Sequence, residues 1–323
     1  MLALAALAVA LLLAPGVAAA HGQGPAEPTA AVLVEGWTFD LAVWLPVLIA
    51  ALAYWKARDI VDRRHPGNPV PRWRMWSWLA GLGAILLALA SPVEAFDTTL
   101  FSVHMIQHLL LMMVAAPLLV LAAPITLLLR VSSPQARRRW ILPFLHSRIV
   151  RVISYPIVAW VLFAGVMWFA HFSPLFDAAL EDEALHRLEH ALFLGSALLF
   201  WWPVVGADPS PHRMSYPARL FYVALGMPLS SFLGLIIFSA QTVLYEHYLT
   251  LPRDWGPSPL EDQNMAGGIM WVGGDAVFVL ALLLMVGAWL QHEEGENRRE
   301  DARLARSRAA RQQTAPAERA AEG

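Results

Sequence analysis

No cysteine occurs among the 323 residues, which removes disulfides, iron–sulfur clusters, CxxC redox chemistry and thiolate metal sites together. Charge is scarce as well: Asp, Glu, Lys and Arg make up 15% of the chain, against about 25% in an ordinary soluble domain. No basic stripe of the kind that tracks a nucleic-acid backbone is visible, so nucleic acid is not an expected partner. Repeats at solenoid periods are absent too. Any metal must then be held by histidine, methionine, carboxylate or amide. What the chain does have is apolar surface. Hydrophobic residues reach 58% and the mean hydropathy is +0.51, which makes a lipid bilayer the expected solvent.

Residues 1–20 form one apolar run that ends in Val17-Ala18-Ala19-Ala20 before the polar His21. The run reads as a secretory signal peptide with a small-residue cleavage site, or as an uncleaved helix. Cleavage there would join the terminal amine to the His21 imidazole, a copper-chelating pair. Seven further apolar stretches follow near 37–55, 73–91, 102–129, 154–172, 186–206, 219–240 and 265–290. Most match the roughly 20 residues needed to cross the hydrocarbon. The predicted fold is all-α and integral to the membrane: a seven-transmembrane helix bundle over residues 21–292, with a charged cytoplasmic tail at 293–323. Threading the spans with the amino terminus outside leaves only Arg187 and Arg253 of the 23 basic residues on the outer side. The positive-inside rule therefore puts the carboxyl terminus in the cytoplasm. Tryptophans near the span ends, Trp201 among them, are expected to form an aromatic belt. Pro117, Pro124 and Pro228 fall inside spans, where kinks are expected.

This orientation sorts the histidines. His65, His146, His212 and His292 fall on the inner side among arginines, and His21, His104, His108, His171, His186, His190 and His247 fall outside. His104 and His108 are one helical turn apart and share a face, a spacing that lets two imidazoles reach one metal ion. Met112 continues that face. The spacing recurs in His186-Arg-Leu-Glu-His190, and His171 closes the fourth span. Polar groups at membrane depth are costly and mark function, so these residues are expected to form one metal site. Imidazole suits copper, zinc, iron and nickel, while thioethers from Met105, Met112, Met265 and Met270 add a preference for Cu(I). Copper is the expected metal and zinc the alternative. Gln107 and Glu189 can orient ligands through the second imidazole nitrogen, and His247 can approach from an outer segment that caps the site. In the last span, a helix starting at about Asn264 would carry Asp275 some 16 Å down, near the bilayer middle. That carboxylate marks an ion path or is simply hydrogen bonded, for instance to Ser230 or Ser231.

Several motifs in order also resemble a known family. They are the His104-Met-Ile-Gln-His108 box followed by Pro117, then His186-Arg-Leu-Glu-His190, Trp201-Trp-Pro203, Asp262-Gln and Gly267-Gly-Ile-Met-Trp271. From about residue 35 to 290 the chain resembles the polytopic CtaG family of cytochrome c oxidase assembly proteins. It does not resemble the single-span, cysteine-bearing copper chaperone that shares that name. The resemblance implies a non-enzymatic factor of the bacterial inner membrane, with oxidase subunits as partners and a periplasmic protein as copper donor. Three other classes stay open on the residues: a zinc hydrolase, since His186-Arg-Leu-Glu-His190 matches HxxEH; a haem-binding electron carrier; and a scaffold without metal.

Overall fold

The computed structural model describes residues 35–251 and 254–321, together with the isolated positions 27, 29 and 32, and side chains through 306. The expected signal peptide, His21 and Arg253 lie outside the described residues. Among the described residues every regular element is helical. Six helices are long and apolar enough to cross a membrane: α1 (Leu41–Arg64), α2 (Arg72–Phe96), α3 (Phe101–Val131), α5 (Glu183–Val205), α6 (Tyr216–Ser239) and α7 (Pro259–Arg306). Between α3 and α5 lies α4 (Pro156–Phe172), which bends by 72° into the short helix Leu175–Glu181. The chain is thus a multi-pass helical membrane protein whose seven apolar segments fall where they are expected. The boundary at the last one differs. α7 opens at Pro259, not Asn264, because Ser258 and Glu261 form a reciprocal capping box just ahead of it. The helix then continues through the charged tail to Ala321.

Helices α3 and α5 are the centre of the bundle, each half buried along its apolar window, whereas only 17% of that of α1 is covered by protein. α3 packs on α1, α2, α5 and α7, α4 lies along α5, and α6 lies along α7. The α6–α7 contact is backbone on backbone: a Cβ on Gly267 would stand 2.3 Å from the Phe238 amide nitrogen, and one on Gly234 would stand 2.8 Å from that of Trp271. Small residues are what permits such an approach between membrane helices.

Both prolines in α3 leave a mark. Ahead of Pro117 the helix widens into a π-turn over Leu110–Ala115, which relieves the clash between a proline ring and the carbonyl one turn earlier. Ala116 N–H reaches back to Leu111 O, so the next donor, for Met112 O, would be residue 117, and proline has none. Trp201 Nε1 supplies it at 3.0 Å. Trp201 is therefore a core residue, 2% exposed, and not part of an aromatic belt. Further on, Ala123 takes a left-handed conformation (φ 53°) ahead of Pro124. The Asp208 carboxylate caps the new turn by accepting from Ile125 N at 3.0 Å and Thr126 N at 2.6 Å. Pro228 is accommodated within a continuous α6.

Candidate metal centre

Alternating chain direction brings the start of α3, the end of α4 and the start of α5 to one end of the bundle. His104 and His186 each occupy the fourth position of their helix, and His171 is the last residue but one of α4. The height of α3 is set from another helix. Leu100 offers no side-chain cap, and Asp262 of α7 takes that role, accepting from Phe101 N at 2.7 Å, Ser102 N at 3.3 Å and Ser102 Oγ at 2.5 Å. A carboxylate there also opposes the positive end of the helix dipole. α5 is capped by Asp182, which accepts from Ala184 and Leu185 N–H at 2.8 and 3.0 Å.

These helix starts gather five histidines, all buried: His104, His108, His171, His186 and His190. Ring centroids are 4.2 Å apart for His104–His108, 4.3 Å for His186–His190 and 5.2 Å for His104–His186. His171 stands 6.2 Å from His108. Glu189 sits between the helices, its Oε2 3.9 Å from His104 Nε2 and 4.0 Å from His108 Nε2. His186 Nε2 lies 3.7 Å from Asp97 Oδ2. Two overlapping groups, Asp97–His104–His186 and His104–His108–Glu189, each place three ligand atoms within 4.8 Å of one another. Those separations are too long for hydrogen bonds and near what first-shell atoms about 2.0–2.2 Å from one ion would show. Both Glu189 oxygens, both His108 nitrogens and His171 Nε2 have no hydrogen-bond partner among the described residues. Each unmet buried polar atom costs about 1–3 kcal/mol. A donor set so composed fits a bound cation.

Neighbouring groups fix the imidazoles. Gln107 Nε2 donates to Ala88 O at 3.0 Å and to Glu94 Oε2 at 2.6 Å, so its Oε1 faces His190 Nε2 as an acceptor at 3.0 Å. His190 Nε2 is thus the protonated nitrogen and Nδ1 carries the lone pair. His171 Nδ1 lies 2.7 Å from the Met167 carbonyl, which only accepts, so His171 presents its lone pair at Nε2. Ligating histidines are ordinarily oriented in this way, by a bond from the other nitrogen.

An aromatic lid covers the cluster. Phe101 meets Phe176 and Tyr245 edge to face, and Phe176 and Tyr245 tilt against each other, with centroids 4.4–5.4 Å apart. Tyr245 OH donates to His171 O at 3.3 Å and Tyr248 OH to Asp97 O at 3.1 Å. Burial pushes both phenols up, which keeps them protonated as donors, and burial likewise pushes the Asp97 carboxyl up. Next to the histidines is a cavity of about 20 Å³, lined among others by Met105, His108, Met112, Met113, Met167 and His171.

The other expected site residues are distributed as follows. Met105 and Met112 are buried at the cavity. Glu189 stands among the imidazoles rather than behind them. His247 does not join the cluster; it serves the lid, where its Nε2 donates to Thr98 O at 3.0 Å. Asp262 caps α3. Met265 is 52% exposed and faces away, while Met270 is buried and lines the cavity. Asp275, about 24 Å along α7 at 1.5 Å per residue, accepts from Ser231 Oγ at 2.8 Å on each oxygen, which is the plain hydrogen-bonding role. Asp97 and Glu94 were not expected. Their signal is two acids within ten residues ahead of the first histidine box.

Comparison with known proteins identifies one family. The cytochrome c oxidase caa3 assembly factor family (Caa3_CtaG) matches residues 29–292. An uncharacterized protein of Mycobacterium tuberculosis is 33% identical over 284 residues, covering 86% of this chain and 43% of that protein. A second, from Mycobacterium leprae, is 28% identical over the same length. The chain thus spans less than half the length of these relatives. No solved structure matches it. On the extent of the family match, this chain belongs to the cytochrome c oxidase caa3 assembly factor family.

Proposed function

We propose that this assembly factor binds copper as cargo in the histidine cluster and passes it to the oxidase, acting as a carrier and not as an enzyme. The observation that carries the reading is Glu189 standing 3.9 and 4.0 Å from the Nε2 atoms of His104 and His108, with both its oxygens and both His108 nitrogens lacking a hydrogen-bond partner among the described residues. In this reading the chain crosses the bacterial inner membrane seven times, α4 with its bent extension forming one crossing, and the amino terminus is outside. The cluster then faces the periplasm. A periplasmic donor would load it, and oxidase subunits with copper centres toward that side would unload it. Spare histidines favour such transfer, since ligands can be exchanged one at a time.

A second reading has a specific observation behind it: two histidines and a glutamate are also the ligand set of catalytic zinc. Against a hydrolase stands the burial of that ligand set: His104, His108 and Glu189 are all buried, and the adjoining cavity of about 20 Å³ has room for a water or an ion.

The test is the copper, zinc and haem content of metal-loaded, detergent-purified protein beside a variant with His104, His108, His186 and His190 all changed to alanine. Near-stoichiometric copper that disappears in the variant is expected. Zinc taken up in preference to copper would move the protein to the hydrolase class, a Soret band to the haem carriers, and metal-free protein in both samples to a scaffold. In cells, a copper-replete oxidase beside a His104→Ala/His108→Ala variant would refute the carrier role.

A further inference from the structure

The ligands at this end of the bundle are not mixed; they are sorted by chemistry. Both groups that place three ligand atoms together contain a carboxylate, Asp97 in one and Glu189 in the other. The adjoining cavity contains none. It is lined by Met105, Met112, Met113, Met167 and Met270, five of the chain's 11 methionines, with His108 and His171. All seven are buried.

Two further observations make this cavity more than a methionine-rich core. Its His171 is held by the Nδ1 bond to Met167 O at 2.7 Å, which leaves Nε2 as a buried lone pair with no partner among the described residues. Its walls also come from π-helical turns on two separate helices. Leu110–Ala115 carries Met112 and Met113, and Ile269–Gly273 carries Met270. π-turns are rare and concentrate at functional sites. Here the widened turn allows two consecutive methionines to line the same space.

We infer that the cavity is a second metal site, for a soft monovalent cation such as Cu(I), separate from the carboxylate–histidine site for a divalent ion and joined to it through His108. This rests on the reading of the protein as a metal carrier. The discrimination follows from charge and softness together. The penalty for burying an ion grows with the square of its charge, about fourfold from +1 to +2. Thioethers and neutral imidazoles supply no compensating charge, so the cavity disfavours a dication and suits a monocation that prefers sulfur. The carboxylates next door do the reverse. His108 belongs to both sets, since it lines the cavity and lies 4.0 Å from Glu189.

The experiment uses the purified full chain and two redox-inert probes, Ag(I) for the soft site and Zn(II) for the other. Elemental analysis gives the stoichiometry of each, and X-ray absorption at the silver edge reports its neighbours. Expected are one bound Ag(I) with sulfur neighbours, and an affinity at least about tenfold lower in a Met112→Leu/Met167→Leu/Met270→Leu variant, whose near-isosteric changes spare the packing. Zinc loading of that variant reports its fold. An Asp97→Asn/Glu189→Gln variant should lose zinc and keep silver. Silver bound with nitrogen and oxygen neighbours alone overturns the second site on unmutated protein, whatever the variants do, and leaves the carrier reading standing. Binding of neither probe overturns both.

Discussion

The π-turn of α3 strands one carbonyl, that of Met112, and the indole of Trp201 on α5 is its donor. Trp201→Phe removes that donor from a side chain only 2% exposed. The loss has two parts: an unmet buried carbonyl, worth about 1–3 kcal/mol, and the void left by the second indole ring, which adds to the cost. A total of about 2–4 kcal/mol is expected. The origin of the effect can be isolated, because residue 117 would itself be the donor if it were not proline. In a Pro117→Ala background the Met112 carbonyl regains an intrahelical partner, and Trp201→Phe should then cost about 1 kcal/mol less. The assay is a double-mutant cycle on denaturant unfolding in detergent, followed by helical circular dichroism. Additivity within about 0.5 kcal/mol would refute the reasoning and leave only the packing loss.

Three other outcomes are expected. Gly267→Ala drives a methyl group to within 2.3 Å of the Phe238 amide and should destabilise by about 1–3 kcal/mol, while Gly268→Ala, whose Cβ would meet nothing closer than 3.6 Å, should be tolerated; thermal unfolding of the pair decides. Gln107→Leu strands His190 Nε2 and Glu94 together and should weaken metal binding about 10–100-fold, read by competition with a chelator. Asp262→Ala uncaps α3 and should cost about 1–2 kcal/mol with a parallel loss of metal affinity, because His104 follows the cap by one turn; full affinity in the destabilised variant would show that the histidines are held independently.

The helices were legible because membrane spans announce themselves by length and polarity, and the two HxxxH pairs because helical periodicity alone puts each pair on one face. Contacts between helices were not. Gln107 meets His190 across 83 positions and Asp262 meets Phe101 across 161, and no local pattern encodes either. Met265 and Met270 show a second limit. Five residues apart, they point about 140° away from each other on a helix, so only one of them can face the cavity, and the length and polarity of the span do not say which. Asp97 follows the end of α2 at Phe96, in the short link to α3, and meets His186 across 89 positions, a contact of the same non-local kind.

Within ten consecutive residues, α3 contributes His104, Met105, Gln107, His108, Met112 and Met113 to both compartments. Side chains on one helix share one screw axis. An advance of α3 by a single residue is a rise of about 1.5 Å with a turn of about 100°, and even a small fraction of that displacement carries all six groups the same way. The selectivity of the two compartments and their distance from Glu189 on α5 are therefore functions of one mechanical coordinate, which the Asp262 clamp holds at its present value.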